Sequence, residues 1–138
     1  MKTPFHLSIV IPAYNEEQRL GPSLGAIIHF LKQQSFNSEV IVVDDGSADQ
    51  SVQVARDKLK GFPHRVLENG RNRGKGFSVR QGMLAAQGKY VLFSDADLST
   101  PIEETTDFLK NLEAGYDVVI GSRVLKDSNV EVRQGFLR

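Results

Sequence analysis

The chain has 138 residues, enough for one domain that buries about two-thirds of its unfolded surface. Lys+Arg and Asp+Glu balance at 17 each, so no global field points to nucleic acid or to an acidic partner. Without cysteine, disulfides, thiolate chemistry and cysteine-ligated zinc are excluded, and no run approaches the ~20 apolar residues of a membrane-spanning helix.

Short β-branched runs alternate with helical patterns along the chain. Leu7-Ser-Ile-Val-Ile11 reads as a first strand, stopped by Pro12; Leu7 to Ile11 is too short for the core of a signal peptide. Asn15 is the expected N-cap of a helix, with Gln18 as capping-box partner, and Leu20, Leu24, Ile27, Ile28 and Leu31 recur at helical spacing. Glu39-Val-Ile-Val-Val43 reads as a second, almost wholly apolar strand. Ser47 and Gln50 form a second expected capping box, opening a helix that buries Val52, Ala55 and Leu59.

His64-Arg-Val-Leu-Glu68 is a weaker third strand. The glycine-rich, basic loop 69–76 leads to a helix carrying Val79, Met83 and Leu84, and Lys89 to Ser94 forms a fourth strand. Thr100, Pro101 and Glu103 predict a capped helix over 101–114 bearing Ile102, Phe108, Leu109 and Leu112, with Gly115 at its C-terminal cap. Tyr116-Asp-Val-Val-Ile120 reads as a fifth strand; from Gly121 onward the pattern breaks down.

Continuous apolar strands alternating with amphipathic helices indicate an open, mainly parallel α/β sheet covered on both faces. Ligands bind such sheets beyond the carboxyl ends of the strands. The polar clusters fall there: Tyr14-Asn15-Glu16, Asp44-Asp45-Gly46-Ser47, the 69–76 loop, Asp95 with Asp97, and Gly121-Ser122-Arg123. If extended, Asp95-Ala96-Asp97 puts both carboxylates on one side, with Cα atoms about 7 Å apart. Two such oxygens suit a hard divalent cation shared with substrate phosphates. A turn-starting role is the plainer alternative, but Thr100 to Glu103 already supply the capping that a following helix needs.

Other readings of these clusters fit less well. An acid after the second strand would hold a ribose in a dinucleotide-binding fold, but Pro12-Ala-Tyr-Asn-Glu-Glu17 replaces the required G-x-G-x-x-G. Gly70-Arg-Asn-Arg-Gly74-Lys75-Gly76 is one residue short of a Walker A loop and has no hydroxyl after its lysine. Its glycines and cations can still approach a diphosphate at a helix start, or form a flexible basic loop. A receiver-type signalling domain needs an acidic pair after the first strand, a phosphoacceptor after the third and a lysine after the fifth; the chain has Pro-Ala-Tyr, Glu68-Asn69 and Gly-Ser-Arg. Arg123 suits a phosphate contact or an ion pair equally. The segment from Arg56 to Lys89 is locally basic and the acids gather elsewhere, as a cleft for a metal and an anion requires, although solvated helix faces produce the same split. His6, His29 and His64 have no metal-ligand spacing.

Taken in order, Ser8-Ile-Val-Ile-Pro-Ala-Tyr-Asn-Glu16, Ile41-Val-Val-Asp-Asp-Gly-Ser47, Asn72-Arg-Gly-Lys-Gly76, Asp95-Ala-Asp97 and Ile120-Gly-Ser-Arg123 resemble the family-2 inverting glycosyltransferases of GT-A fold. Asn72-Arg-Gly-Lys-Gly-Phe-Ser-Val-Arg-Gln-Gly-Met83 and Asp95-Ala-Asp-Leu-Ser-Thr-Pro101 are most similar to the dolichyl- or polyprenyl-phosphate glucosyltransferases within it. The resemblance implies that residues 1–138 are a nucleotide-sugar-binding GT-A domain, the N-terminal part of a longer catalytic domain truncated at its C-terminus.

It further implies roles for individual residues. Pro12, Ala13, Tyr14 and Glu16 would line the base and ribose pocket, Asp45 with Asp44 would receive a uracil N–H, and Gly74 and Lys75 would meet the nucleotide. Asp95 and Asp97 would hold Mg2+ or Mn2+, and Arg123, Arg133 and Arg138 would contact an acceptor phosphate. The implied reaction moves a hexose, expected to be glucose, from a UDP-linked donor to a polyprenyl or dolichyl phosphate at a membrane surface. The expected location is cytoplasmic, peripheral at the membrane face. Related mannosyl enzymes place Gln two residues after the second Asp; Ser99 stands there, a poorer metal ligand that argues against mannosyl transfer. A non-catalytic nucleotide-sugar-binding domain is the alternative.

Overall fold

The computed structural model describes residues 3–122; the expected acceptor contacts Arg123, Arg133 and Arg138 lie outside them. Its elements are β1 (Phe5–Ala13), α1 (Glu17–Lys32), β2 (Ser38–Asp44), α2 (Ser51–Leu59), β3 (His64–Glu68), α3 (Lys75–Ala85), β4 (Gly88–Phe93), a 3-10 turn (Ile102–Glu104) and α4 (Thr105–Glu113). The four strands pair in parallel in the order β3-β2-β1-β4. The chain thus builds outward from β1 to β3, then returns across the sheet to place β4 on the other side of β1. Because parallel crossovers are right-handed, that reversal carries α3 to the face opposite α1 and α2. The carboxyl ends of β1 and β4 flank the switch point, where open α/β sheets hold their ligands.

Period-two alternation divides the core. Leu7, Ile9 and Ile11 of β1 and Val40 and Val42 of β2 pack with Leu20, Leu24, Ile27 and Leu31 of α1 and with Ala55 and Leu59 of α2. Val10, Ile41 and Val43 point to the α3 face. Each of these buried Leu, Ile and Val side chains contributes about 1.5–3 kcal/mol. Deep in the α3 face, the buried Glu39 carboxylate accepts from Ser8 Oγ (2.7 Å), Gln87 N (2.8 Å) and the Arg65 guanidinium (3.0 Å), which satisfies a charge that burial would otherwise penalise.

The structure corrects the sequence reading at several elements. Pro12 does not stop β1, which runs to Ala13 with Pro12 opposite Val43. The Val10 carbonyl accepts from Ser94 N beyond the end of β4, so two residues on, where the ring removes a donor, no strand waits for it. In α2, Val54 rather than Val52 packs on the core. The buried side of α3 is Ser78 and Gly82, whereas Met83 and Leu84 are exposed. This helix lies so close to the sheet that a Cβ on Gly82 would come within 2.2 Å of Val10 Cγ1 and 3.1 Å of Val43 Cγ2, leaving no room for larger inward residues.

Thr100 and Pro101 do not cap a helix directly; a 3-10 turn intervenes before α4 and no side-chain cap bond forms. Gly115, at φ 110°, does end α4, with Tyr116 N donating to Asn111 O and Gly115 N to Leu112 O in a Schellman pattern. The expected fifth strand is not formed: 116–120 pairs with no strand among the described residues, and Tyr116, Val118 and Ile120 are exposed. β-branched composition makes a strand only where a neighbouring edge accepts it.

Neither expected capping box forms. Their oxygens bind across two loops instead of along one helix. Asn15 N donates to Ser47 Oγ (2.9 Å) while Asn15 Oδ1 accepts from Ala48 N (2.9 Å). Glu17 N donates to Asp49 Oδ2 (3.2 Å) while Glu17 Oε2 accepts from Gln50 N (2.9 Å). Glu16 N donates to Ser51 Oγ (2.8 Å). This reciprocal clasp fixes the loop after β1 against the loop after β2, so each supplies the acceptors that the other's helix start requires.

Two outcomes follow from this packing. Gly82→Ala overpacks the α3 face against stiff valines, costing about 1–3 kcal/mol of stability and lowering the urea midpoint; Gly76→Ala, with nothing within 4 Å, does not. Burial raises the Asp49 carboxyl, but bonds from Ser51 Oγ, Ser51 N and Glu17 N outweigh it and hold the pKa below its ordinary 3.8. Its contribution is therefore present above that value and lost as pH falls through the lowered folded one. The stability gap between wild type and Asp49→Asn, measured by urea unfolding, is accordingly largest near neutrality and closes in acid.

Candidate functional site

β2 delivers Asp44 and Asp45 to the carboxyl edge, where both are 4% exposed. The edge is laced by backbone bonds: Asp45 N donates to Ala13 O, and Asn69 N to Asp44 O, each at 2.9 Å. Gly46 turns the chain away at φ 79°, and the 71–72 backbone lies across it. A Cβ there would approach Arg71 C to 2.5 Å and Asn72 N to 2.7 Å, so glycine is required for conformation and for space.

The two adjacent carboxylates do different work. Asp45 Oδ1 accepts from Asn69 Nδ2 (2.9 Å) and Arg73 N (2.7 Å), and its Oδ2 from Gly74 N (2.9 Å). Burial raises this carboxyl, yet those bonds from Arg73, Asn69 and Gly74, with Ser78, outweigh it and hold the pKa below its usual value. Asp45 thus fastens the basic loop onto the sheet edge. Asp44 Oδ2 accepts from Gly46 N (3.1 Å) and Ser47 N (3.0 Å), whereas its Oδ1 is buried with no partner among the described residues. An unpaired buried carboxylate oxygen is costly unless a ligand donor meets it. Asp44, rather than Asp45, therefore holds the unpaired acceptor.

Asn69 was not singled out as a site residue by sequence. It follows β3, whose last residue Glu68 lies opposite Asp44, and its side chain donates to both Asp45 and Ser78 Oγ (2.8 Å). The signal was available: a polar residue ending a strand adjacent to a doubled carboxylate shares its edge. Of the other expected base-pocket residues, Pro12 and Ala13 are buried at the end of β1 and Tyr14 is 48% exposed. Glu16 is paired with Arg19 at 2.7 and 3.0 Å.

β4 leads to the third acidic element, and Asp95-Ala96-Asp97 is a turn rather than an extended pair. Leu98 N donates to Asp95 O (3.1 Å), Ser99 N donates to Asp97 Oδ1 (3.0 Å), and Leu98 sits at φ 47°. Ala96 is 5% exposed and anchors the turn in the core, so the carboxylates on either side stay near the surface. Asn15 and Leu98 are the non-glycine residues with positive φ among the described residues, and both lie on this edge, where backbone strain tends to collect. Lys75 Nζ lies 2.5 Å from Asp95 Oδ1 and 5.3 Å over the Phe93 ring.

Beside β4, Val91, Phe93, Asp95, Thr100, Phe108 and Ile120 help to line a cleft of ≈ 540 Å³. Among the described residues no three His, Cys, Asp or Glu side chains converge on one point. Asp95 and Asp97 alone do not make a protein cage. Two carboxylates do fit a hard cation that completes its shell with water and substrate phosphates.

The glycosyl transferase family 2 model matches residues 8–135. A dolichyl-phosphate beta-glucosyltransferase of Drosophila melanogaster is 42% identical over 96% of this chain and 45% of its own length. The chain therefore spans less than half of that relative. Among solved structures, the Pyrobaculum calidifontis mannosyltransferase PcManGT, in complex with GDP-Man and Mn2+, aligns with TM-score 0.60 and 25% identity over 67% of this chain and 28% of its own. S. aureus TarS 1–349 in complex with UDP aligns with TM-score 0.58 and 28% identity over 76% of this chain and 32% of its own. On the family match and the parallel sheet together, the chain belongs to glycosyl transferase family 2 and has the fold of the GT-A glycosyltransferases.

Proposed function

We propose that this chain forms the donor-binding part of a metal-dependent inverting glycosyltransferase that moves glucose from UDP-glucose to a dolichyl or polyprenyl phosphate. The observation that carries the reading is the continuity of the carboxyl edge: one loop, bonded to Asp45 through Arg73 N and Gly74 N, also brings Lys75 to Asp95. A nucleotide end and a metal end are thereby joined at the switch point of the sheet. The names of the dolichyl-phosphate glucosyltransferase relatives support the acceptor and the sugar, and the UDP and Mn2+ complexes of the structural neighbours support a nucleotide-sugar with a divalent ion.

Residue roles follow the chemistry of each group. Asp44 Oδ1 receives a ring N–H of the base, while Asp45 acts on the loop instead of on the nucleotide. Uracil and guanine both present such a donor, so this oxygen alone does not choose between UDP and GDP. Pro12, Ala13, Tyr14 and Glu16 form the wall beside it, and Gly74 lets the backbone approach the diphosphate. Asp95 and Asp97 hold Mg2+ or Mn2+, which when bound supplies Lewis-acid stabilisation of the charge left on the departing diphosphate.

A phosphate monoester acceptor has a second pKa of about 6 and is already anionic near neutral pH. It attacks the sugar directly, with inversion, and places no demand on the protein for a strong base. Arg123, Arg133 and Arg138 are assigned to the acceptor phosphate, where a guanidinium fork matches the anion. In this reading the reaction runs at the cytoplasmic face of a membrane, with the lipid phosphate presented from the bilayer.

Calorimetry with UDP-glucose and with GDP-mannose, each with and without Mn2+, tests the reading. UDP-glucose binds with Mn2+ present, and GDP-mannose binds at least about tenfold more weakly, a difference of about 1.4 kcal/mol. Absence of heat from either donor in the presence of Mn2+ would rule out the donor site. In Asp97→Asn the Mn2+-dependent part of UDP-glucose affinity is lost, while metal-free binding of UDP stays near wild type. Full metal dependence in that variant removes Asp97 from the metal site.

A further inference from the structure

Lys75 opens α3 directly after the two residues whose backbone N–H groups bond Asp45, and its own ammonium reaches Asp95 at 2.5 Å. It belongs at once to the nucleotide end of the edge and to the metal end. Its position is fixed on one side and free on the other. Gly74 is tied to Asp45 Oδ2, so the Lys75 Cα cannot drift, yet the side chain is 60% exposed and the Asp95 side chain 41%. A pair this solvated is weak and exchanges readily. The Lys75 stem is flexible enough to carry its charge from one anion to another nearby.

An ammonium on Asp95 Oδ1 occupies the lone pairs that a divalent cation would use. The two cations repel if both stay, so one must leave the oxygen. Resting on the donor-site reading above, we infer that Lys75 is an exchangeable counter-ion for Asp95. It neutralises that carboxylate when the site holds no metal, and passes to the diphosphate when metal and nucleotide enter together. Lys75 is thus a positioning residue that couples the two ligands. Metal binding without nucleotide is held down, because among the described residues Lys75 pairs with Asp95 and with no other anion. A nucleoside diphosphate supplies that anion and frees Asp95, so each ligand raises the affinity for the other by the same factor. The 73–75 loop is the mechanical link, since its other end is fixed to Asp45.

The test is Mn2+ binding to the full chain, followed by the electron paramagnetic resonance signal of free Mn2+, with Mn2+ alone and with saturating UDP. In Lys75→Met, affinity for Mn2+ alone rises about two- to fivefold, the scale of a solvated ion pair. The enhancement of Mn2+ affinity by UDP falls at least about fivefold in the same variant. Lys75→Arg keeps the charge and retains the wild-type pattern in both arms. These opposite movements separate counter-ion exchange from a structural defect, which lowers affinity in both arms together. If Lys75→Met and wild type bind Mn2+ alone equally, or the variant binds it less well, the exchange is overturned while UDP-enhanced Mn2+ binding leaves the donor site standing. If neither protein takes up Mn2+ even with UDP, the donor-site reading itself falls.

Discussion

Asp45 makes the contact on which the geometry of the whole carboxyl edge depends. A buried carboxylate is costly unless its oxygens are met by donors, and here the donors are two consecutive backbone N–H groups and an amide from a loop roughly thirty residues away. The hydrogen bonds that keep Asp45 ionised also prevent a glycine-rich loop from sampling other positions. Gly46 completes the arrangement by leaving the volume through which that loop passes. Release of this carboxylate would free Gly74, with it the start of α3, and with that the position of Lys75.

The sheet topology explains why one loop can span the edge. β3 lies at one margin and β4 at the other side of β1, so the chain from β3 through α3 to β4 must cross beneath the sheet. The loop that starts this crossing begins at Asn69, beside Asp44, and hands over to a helix whose first residue reaches the Asp95 turn. Close approach of α3 is part of the same geometry. Gly82 lets the helix sit against Val10 and Val43, and buried Ser78 bonds Asn69 at the start of the same crossing.

What the sequence displayed was the physics of burial; what it concealed was choice among polar partners. All four parallel strands were legible because both faces of β1 and β2 are covered, which gives unbroken apolar runs such as Val40 to Val43. Asp44, Asp45, Lys75 and Asp95 were likewise assigned to one edge, since strand ends in a parallel sheet align. The capping boxes at Asn15 and Ser47 were misread because a local rule assigns those oxygens to their own helices. Folded, Asn15 and Ser47 lie 32 positions apart in sequence and within one hydrogen bond of each other, and each satisfies the other's loop. For Asp95-Ala96-Asp97 the sequence left the backbone open between an extended pair and a turn, and burial of Ala96 with the Asp97–Ser99 bond selects the turn. The 116–120 run has strand composition and no paired edge among the described residues. The roles of Asp44 and Asp45 could not be divided by sequence at all, because only the path of the 69–74 loop decides which of two adjacent carboxylates is consumed.

That division also resolves the charge pattern of the chain. The basic segment from Arg56 to Lys89 suggests a single positive face, but most of its resolved partners are local. Arg56 pairs with Glu68 at 2.7 Å, Arg65 with the buried Glu39, and Arg73 lies 4.2 Å over the Phe77 ring. These contacts hold α2, β3 and α3 in place. Lys75 differs because its partner is itself a group that a cation would claim. The site proposed above, taking a metal and a diphosphate together, cannot leave its carboxylates bare without self-repulsion, nor pair them so tightly that they never open. A solvated lysine on a rigidly held backbone meets both requirements, and it places the adaptable charge of this edge on the loop that Asp45 secures.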